Sequence, residues 1–103
     1  MCIIVDIVEF ISWEPQPGIV KCRFRDVWGK EHIIIEKSAV VSAEILTPDS
    51  LYPRKGEVPC SPIKEWVDSG GKEIITVSTE KPSAVETVDG LTEFDLLKSQ
   101  IEV

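Results

Sequence analysis

The sequence predicts an all-β fold: a single small antiparallel β-barrel or sandwich of about six to seven strands that occupies residues 1–103. Two observations predict it, namely segments in which apolar and polar residues alternate with a period of two, and turn sequences that recur at short intervals. The turn sequences are EPQPG at 14–18, DVWGK at 26–30, TPDS at 47–50, YPRKG at 52–56, DSGGK at 68–72, EKPS at 80–83 and VDG at 88–90. With 103 residues and 43% hydrophobic content, the chain has the length of one domain.

Residues 2–13 form the first predicted strand. The segment is apolar on both faces apart from three polar residues, Asp6, Glu9 and Ser12. Continuous apolar character is typical of a central strand, so we expect a long central strand here, bent between two sheets. An apolar N-terminus also resembles a signal peptide, but no basic region precedes it and acids interrupt it, which favours a cytoplasmic location.

Residues 19–37 predict a β-hairpin. The apolar face of its first arm, IVKCRFR, consists of Val20, Cys22 and Phe24. The glycine of DVWGK offers the positive φ that a hairpin turn needs, and EHIIIEK is the return strand. On this return strand we assign Ile33 and Ile35 to the core face, which directs His32 outward beside Glu36.

The rest of the chain predicts a second hairpin and two ambiguous segments. EVPCSPIKEWV pairs with KEIITVST around DSGGK, and Pro59 and Pro62 remove ladder donors, so this first arm is predicted to be an edge strand or bulged. Residues 38–46, SAVVSAEIL, fit a strand or a helix, and their β-branched residues favour a strand. Residues 92–97 are predicted to be a strand, followed by an irregular end or a short C-terminal helix up to residue 101.

The net charge of the chain limits the classes of partner that we expect it to bind. Eighteen acids and eleven bases give a net charge of −7. Binding a polyanion requires lysine and arginine to replace its counterions, so we expect neither a nucleic acid nor an anionic membrane as partner. The charge is uneven, because residues 80–103 carry six acids and two lysines whereas residues 14–37 carry four acids and five bases. Such asymmetry suits a complementary protein surface.

The cysteines and the absence of known catalytic motifs limit the metal sites and catalytic activities that the sequence predicts. Cys2, Cys22 and Cys60 are an odd number without a CxxC pair, which predicts buried thiols in a reducing compartment. A zinc site built from Cys22, His32 and Cys60 lacks the close-spaced ligand pairs that such sites use. No GxSxG, dinucleotide fingerprint or HExxH is present. We therefore predict no catalytic residues, no metal and no cofactor, and an enzyme is the less favoured class.

Three bases on the first hairpin are candidate binding residues. Lys21, Arg23 and Arg25 repel one another on the exposed face of one strand. Their repulsion is relieved either by Glu31 and Glu36 across the hairpin, which we favour, or by an acidic or anionic partner.

Trp28 in the hairpin turn is the strongest candidate for a contact residue. A turn tryptophan either folds back over the core or stays exposed as a side chain of the type enriched at interaction hot spots. His32, the only histidine, is a weaker candidate for binding, because a solvated pair with a nearby carboxylate explains it.

The predicted function is that of a small acidic cytoplasmic binding module that acts through protein–protein contacts around Trp28 and the neighbouring bases. One form of this function is an inhibitor or immunity-type protein whose acidic residues 80–103 contact a basic partner. The alternatives are a small-ligand binder or hydrolase-type enzyme that uses the barrel mouth with His32, and a single-stranded nucleic-acid binder, which the acidic charge disfavours. An exposed edge strand would also permit a homo-oligomer.

Overall fold

The computed structural model of the protein describes all 103 residues and contains eight strands and little helix. The strands are β1 (Cys2–Ser12), β2 (Ile19–Arg25), β3 (Glu31–Lys37), β4 (Arg54–Pro59), β5 (Ser61–Val67), β6 (Glu73–Ser78), β7 (Glu93–Leu97) and β8 (Ile101–Glu102). One four-residue helix, α1 (Ser38–Val41), and one 3₁₀ turn, Lys98–Gln100, complete the secondary structure. The all-β prediction is confirmed. More than seven strands are present because the first arm of the second hairpin is divided at Cys60 and because the chain end adds the two-residue β8.

The strands form two antiparallel sheets. The first has the order β3-β2-β1-β4, with β8 also pairing with β1, and the second has the order β5-β6-β7. β1 is a central strand, as its apolar character predicted, but it pairs only within the first sheet, so the expected bend between two sheets is wrong. Only Cys60 separates β4 from β5, and the chain passes there directly from the first sheet to the second.

The hydrophobic core is shared by both sheets. Sixteen buried residues form one cluster, in which Ile3, Val5 and Ile7 of β1 join Ile75 and Val77 of β6. Burial of such side chains stabilises the fold by about 25 cal/mol per Å² of apolar surface. None of the helices is long or apolar enough to cross a lipid bilayer.

Both predicted hairpins are present. β2 pairs with β3 over the full length of both strands, and β5 pairs with β6. β5 is an edge strand with a register shift between Pro62 and Lys64, as the two prolines of the first arm predicted; of these two, Pro59 ends β4 and only Pro62 lies in β5. The strand expected at 92–97 is confirmed as β7.

Residues 38–46 do not form the strand that their β-branched residues favoured. Ser38–Val41 form a helical turn, in which the Ser42 N–H donates to Ser38 O at 2.9 Å, and the following residues are irregular. The turn packs against β4, and Val41 and Leu46 are buried in the core. Tertiary packing therefore outweighs a weak local preference for strand. The turn expected at 52–56 is also wrong beyond residue 53, because β4 begins at Arg54.

The face of β3 that points into the core is the opposite of the expected one. His32 is only 4% exposed and Ile34 is buried, whereas Ile35 is exposed, so the predicted outward orientation of His32 is wrong. Three consecutive isoleucines make both faces of this strand apolar. The partner strand distinguishes the two faces, because Phe24 lies opposite His32 and Cys22 lies opposite Ile34, and opposite residues share a face.

Candidate functional site

The loop between β2 and β3, residues 26–30, is held by the side chain of its first residue. Asp26 Oδ1 accepts hydrogen bonds from the backbone N–H of Trp28 at 2.9 Å and of Lys30 at 3.0 Å. The Asp26 N–H donates to Lys30 O at 3.0 Å, and the Gly29 N–H donates to Asp26 O at 3.1 Å. Gly29 has a φ of +83°, in the left-handed region that glycine favours. The backbone is therefore fixed on both sides of Trp28.

The second carboxylate oxygen of Asp26 binds His32. The imidazole Nε2 donates to Asp26 Oδ2 at 2.7 Å, and the ring packs against Phe24 and Phe94. Burial raises the pKa of Asp26, but hydrogen bonds from His32 and from two backbone N–H groups outweigh burial and hold this pKa below its ordinary value. His32 is thus a buried support of the loop.

Trp28 is held at two points while most of its surface faces solvent. Its indole Nε1 donates to Asp95 Oδ2 at 3.0 Å. Its ring stacks on Trp66 of β5 with a centroid distance of 6.4 Å and an interplanar angle of 27°. The backbone is attached as well, since the Val27 N–H donates to Asp95 O at 3.0 Å. Nevertheless the side chain is 69% exposed.

A continuous hydrogen-bonded chain joins the two indoles, which we call the tryptophan pair (Trp28 and Trp66). Trp66 Nε1 donates to Thr76 Oγ1 at 3.1 Å, and the Thr76 hydroxyl donates to Asp95 Oδ1 at 2.6 Å. Trp28 completes the chain through the other oxygen of Asp95. Because every member of the chain has a partner, the network holds the loop and three strands as one unit.

The tryptophan pair lies on the outer face of the second sheet. Ile74 of β6 is buried although it lies outside the core cluster. It stands opposite Trp66 on β5 and Leu97 on β7, and opposite residues share a face. The outer face therefore carries an apolar row beside the polar row of Thr76 and Asp95.

The bases of β2 are all paired with acids. The ion pairs are Lys21 with Glu9 at 3.9 Å, Arg23 with Asp6 at 3.9 Å and Arg25 with Glu31 at 3.7 Å. The prediction that acids across the hairpin relieve the repulsion is confirmed for Arg25 alone, and Glu36 forms no ion pair with any of the three bases. The other two bases use acids of β1, because a strand inside a sheet has a neighbour on each side.

Two of the five candidate binding residues meet at the loop. The Arg25 guanidinium donates to Gly29 O at 2.6 Å, beside Trp28. Lys21 and Arg23 lie farther along β2, and His32 lies beneath the loop. The structure thus brings Trp28 and Arg25 together at the surface and leaves the other three residues away from the exposed indole.

Residues 80–93 carry acids that form no ion pair. They are Glu80, Glu86, Asp89 and Glu93, all exposed. Glu93 lies two residues before Asp95 on β7, and side chains two apart on a strand share a face. Of these four acids, Glu93 therefore shares the outer face with Asp95, beside the tryptophan pair.

The remaining polar groups do not form a metal site or a catalytic site near the loop. No three His, Cys, Asp or Glu side chains converge as metal ligands. An open groove of about 440 Å³ lies between α1 and β4, and His32 lines none of the three main clefts. Burial raises the pKa of Cys22 to about 12 and that of Cys60 to about 11, so both thiols are poor nucleophiles at neutral pH.

The sequence predicted Trp28 as a contact residue, which stays a prediction, and it did not indicate that Trp66, Thr76 and Asp95 hold the indole. The alternation in TEFDL indicates that Asp95 faces away from Phe94, yet nothing local indicates that the indole of a distant loop binds it. Comparisons of the chain with known protein families, with curated proteins and with solved structures found no match.

Proposed function

We propose that the protein is a binding module that contacts a protein partner through the tryptophan pair. The observation that carries the proposal is that Trp28 is 69% exposed and yet held in one position by Asp95 and Trp66. A side chain that is already fixed loses little conformational entropy on binding. Tryptophan is also among the residues enriched at the centres of protein interfaces.

The acidic charge of the chain supports a basic partner. The four acids of residues 80–93 have no ion pair, and the whole chain carries a net charge of −7. Opposite charge on a partner accelerates association and makes it sensitive to salt. An inhibitor or immunity-type protein that binds a basic target fits this pattern. The bases of β2 support a contact less, because acids of the same chain already pair with them.

The cysteines support a cytoplasmic location. All three are free thiols, and two of them are buried in the core. Secreted domains of this size commonly carry disulfides, which form in oxidising compartments.

The two competing functions have less support. His32 is buried and its Nε2 is occupied by Asp26, which suits a structural role better than proton transfer to a substrate. A single-stranded nucleic-acid binder needs aromatic side chains along a basic groove, whereas this chain carries a net charge of −7.

The partner is first isolated by affinity purification from the native host and then purified. Calorimetric titration measures the Kd of this partner for the wild type, for Trp28→Ala and for the control Trp13→Ala. Trp13 is 46% exposed and packs against Phe10, away from the loop. We expect Trp28→Ala to weaken binding by about 30-fold, the effect of losing about 2 kcal/mol at a hot spot.

Trp13→Ala should bind like the wild type, and added salt should weaken binding by the wild type. Far-UV circular dichroism and thermal unfolding establish that both variants are folded. A partner that binds Trp28→Ala as tightly as the wild type would show that the tryptophan pair is not the contact surface.

A further inference from the structure

The outer edge of β5 has no neighbour. The other three strands at the ends of the two sheets each have a neighbour. Ile33 O of β3 accepts a hydrogen bond from the Val88 N–H, and Asp95 O of β7 accepts one from the Val27 N–H. β4 packs against α1. Outside its ladder with β6, no residue of β5 forms a backbone hydrogen bond. A free strand edge of this kind is a template for pairing with another strand.

The hairpin loop determines which backbone groups of β5 point outward. The Asp68 N–H donates to Lys72 O at 3.1 Å, so the backbone groups of Asp68 face β6. Backbone groups alternate in direction along an antiparallel strand. The N–H and C=O groups of Val67 and Glu65 therefore point away from β6 and are available to a new strand.

The regular part of this edge is short and centred on one residue. The register shift between Pro62 and Lys64 interrupts the strand at one end, and the loop that starts at Asp68 ends it at the other. The regular edge thus runs from residue 64 to residue 68, with Trp66 at its centre. The side chain of Val67 is 63% exposed there.

We propose that two copies of the chain associate through this edge, antiparallel and in the register centred on Trp66. This register places Lys64 of each copy opposite Asp68 of the other, which is a favourable charge pair. It places Trp66 opposite Trp66, and aromatic cross-strand pairs stabilise sheets. Val67 stands opposite Glu65, and each of these pairs exchanges both of its outward-pointing backbone hydrogen bonds.

The neighbouring registers are less favourable. A register centred on Glu65 places this carboxylate opposite itself, and one centred on Lys64 does the same with the ammonium group. Like charges directly opposite each other destabilise a strand pair. A register centred on Val67 has no like-charge pair, but it extends beyond Asp68 into the loop, so within the regular edge it pairs only residues 66–68. The register centred on Trp66 is therefore the one that uses the whole regular edge without opposing like charges.

The association would join the two three-stranded sheets into one continuous sheet. A twofold axis perpendicular to a sheet keeps the same face of both copies on the same side. The tryptophan pairs of the two copies would then lie side by side on one outer face. This inference does not rest on the proposed partner, since it uses the backbone edge of β5, whereas the proposed contact uses the exposed ring of Trp28; Trp66 is the one residue that the two surfaces share.

The test uses the full chain in sedimentation equilibrium at concentrations up to about 1 mM. We expect the mass of the wild type to rise from 11.5 kDa towards twice this value as concentration increases. Glu65→Pro removes an outward-pointing N–H without removing a donor to β6, and proline is tolerated at such edge positions. We expect it to weaken the dimer at least tenfold.

The matched control is Glu65→Ala, which loses the carboxylate and its ion pair with Lys98 but keeps the N–H. We expect it to dimerise like the wild type. If circular dichroism shows that Glu65→Pro is unfolded, Lys64→Glu replaces it, because it places like charges opposite each other and should also give a monomer.

Three results would overturn the proposal. They are a wild type that stays monomeric, a dimer that persists in the folded disrupting variant, and a dimer that is lost in Glu65→Ala as well.

Discussion

The two hairpin loops, residues 26–30 and 68–72, share one backbone geometry and differ in sequence only at the second and third positions. Both have the sequence Asp-x-x-Gly-Lys. In both, the first carboxylate accepts the N–H groups of the third and fifth residues, at 2.9 and 3.0 Å in one loop and at 2.9 and 2.8 Å in the other. The third residue is Trp28 in one and Gly70 in the other. The turn itself therefore does not require an indole.

A third loop supports this interpretation. In residues 87–91 the Thr87 hydroxyl accepts the N–H groups of Asp89 and Leu91 at 3.3 and 3.1 Å, and Gly90 has a φ of +80°. A side-chain acceptor at the first position and a glycine at the fourth are common to all three loops. The first and fourth positions thus determine the turn, and the third is free to serve another purpose.

The two Asp loops differ in what they contact. Asp26 also binds His32, and the loop that it begins is attached to Asp95 of the other sheet through Val27 and Trp28. Asp68 binds only backbone groups of its own loop. The same local sequence therefore serves as a plain turn in one place and as part of a tertiary site in the other.

The largest difference is expected between Asp26→Ala and Asp68→Ala. Both variants lose the acceptor of two backbone N–H groups, but only Asp26→Ala leaves the buried His32 without its partner. We expect the free energy of unfolding to fall by about 2–4 kcal/mol in Asp26→Ala and by about 1 kcal/mol in Asp68→Ala. Urea unfolding measures both losses. Equal losses would show that the bond to His32 contributes nothing to stability.

A smaller difference is expected in acid. The pKa of Asp26 lies below its ordinary value of 3.8, so its ionised form stabilises the fold. This contribution is fully present above the ordinary pKa and is lost as the pH falls through the lowered one. Between about pH 5 and pH 2, the free energy of unfolding should therefore decrease more steeply in the wild type than in Asp26→Asn. Parallel curves for the two proteins would contradict this expectation.

The smallest difference is expected at the glycines that the two loops share. Gly29 and Gly71 have φ values of +83° and +84°, and a Cβ added at either position meets no atom within 4 Å. Only backbone strain then opposes alanine, and we expect Gly29→Ala and Gly71→Ala to cost a similar 1–2 kcal/mol, roughly the penalty of the left-handed conformation. Gly70→Ala, without a positive φ, is the control and should leave the unfolding midpoint nearly unchanged. Unequal losses at Gly29 and Gly71 would show that the two backbones are not equivalent.

Local patterns predicted the parts of the fold that depend on neighbours in the chain. The alternation in IVKCRFR identified the buried face of β2, and the glycines of DVWGK and DSGGK identified both hairpins. Pro59 and Pro62 predicted an edge strand, because proline cannot donate to a ladder; Pro62 lies in β5, which is an edge strand. The patterns failed at α1 and at β3. In α1 the packing of Val41 overrides local preference, and in β3 isoleucines on both faces remove the contrast on which alternation depends.

The candidate site shows the same limit. That Trp28 stands in a turn follows from the sequence, and so does the alternation of charges on β2. The ion pairs of Lys21 and Arg23 involve β1, whose place beside β2 is a property of the sheet order. Within the chain, the sequence alone offered only the hairpin partner β3 for these bases.

By itself, the sequence determined an acidic all-β chain, its two hairpins and the turn that carries Trp28. Short-range rules suffice for these features, because period-two alternation and turn glycines act between residues that are close in the chain. Only the tertiary structure decided that Trp28 stacks on Trp66, that Asp95 holds its indole and that His32 lies buried beneath it. The contacts of Trp28 join segments of different sheets, and His32 is buried against Phe94 of the second sheet as well as bound to Asp26 of its own hairpin. The energies of such contacts depend on a packing that no local pattern encodes.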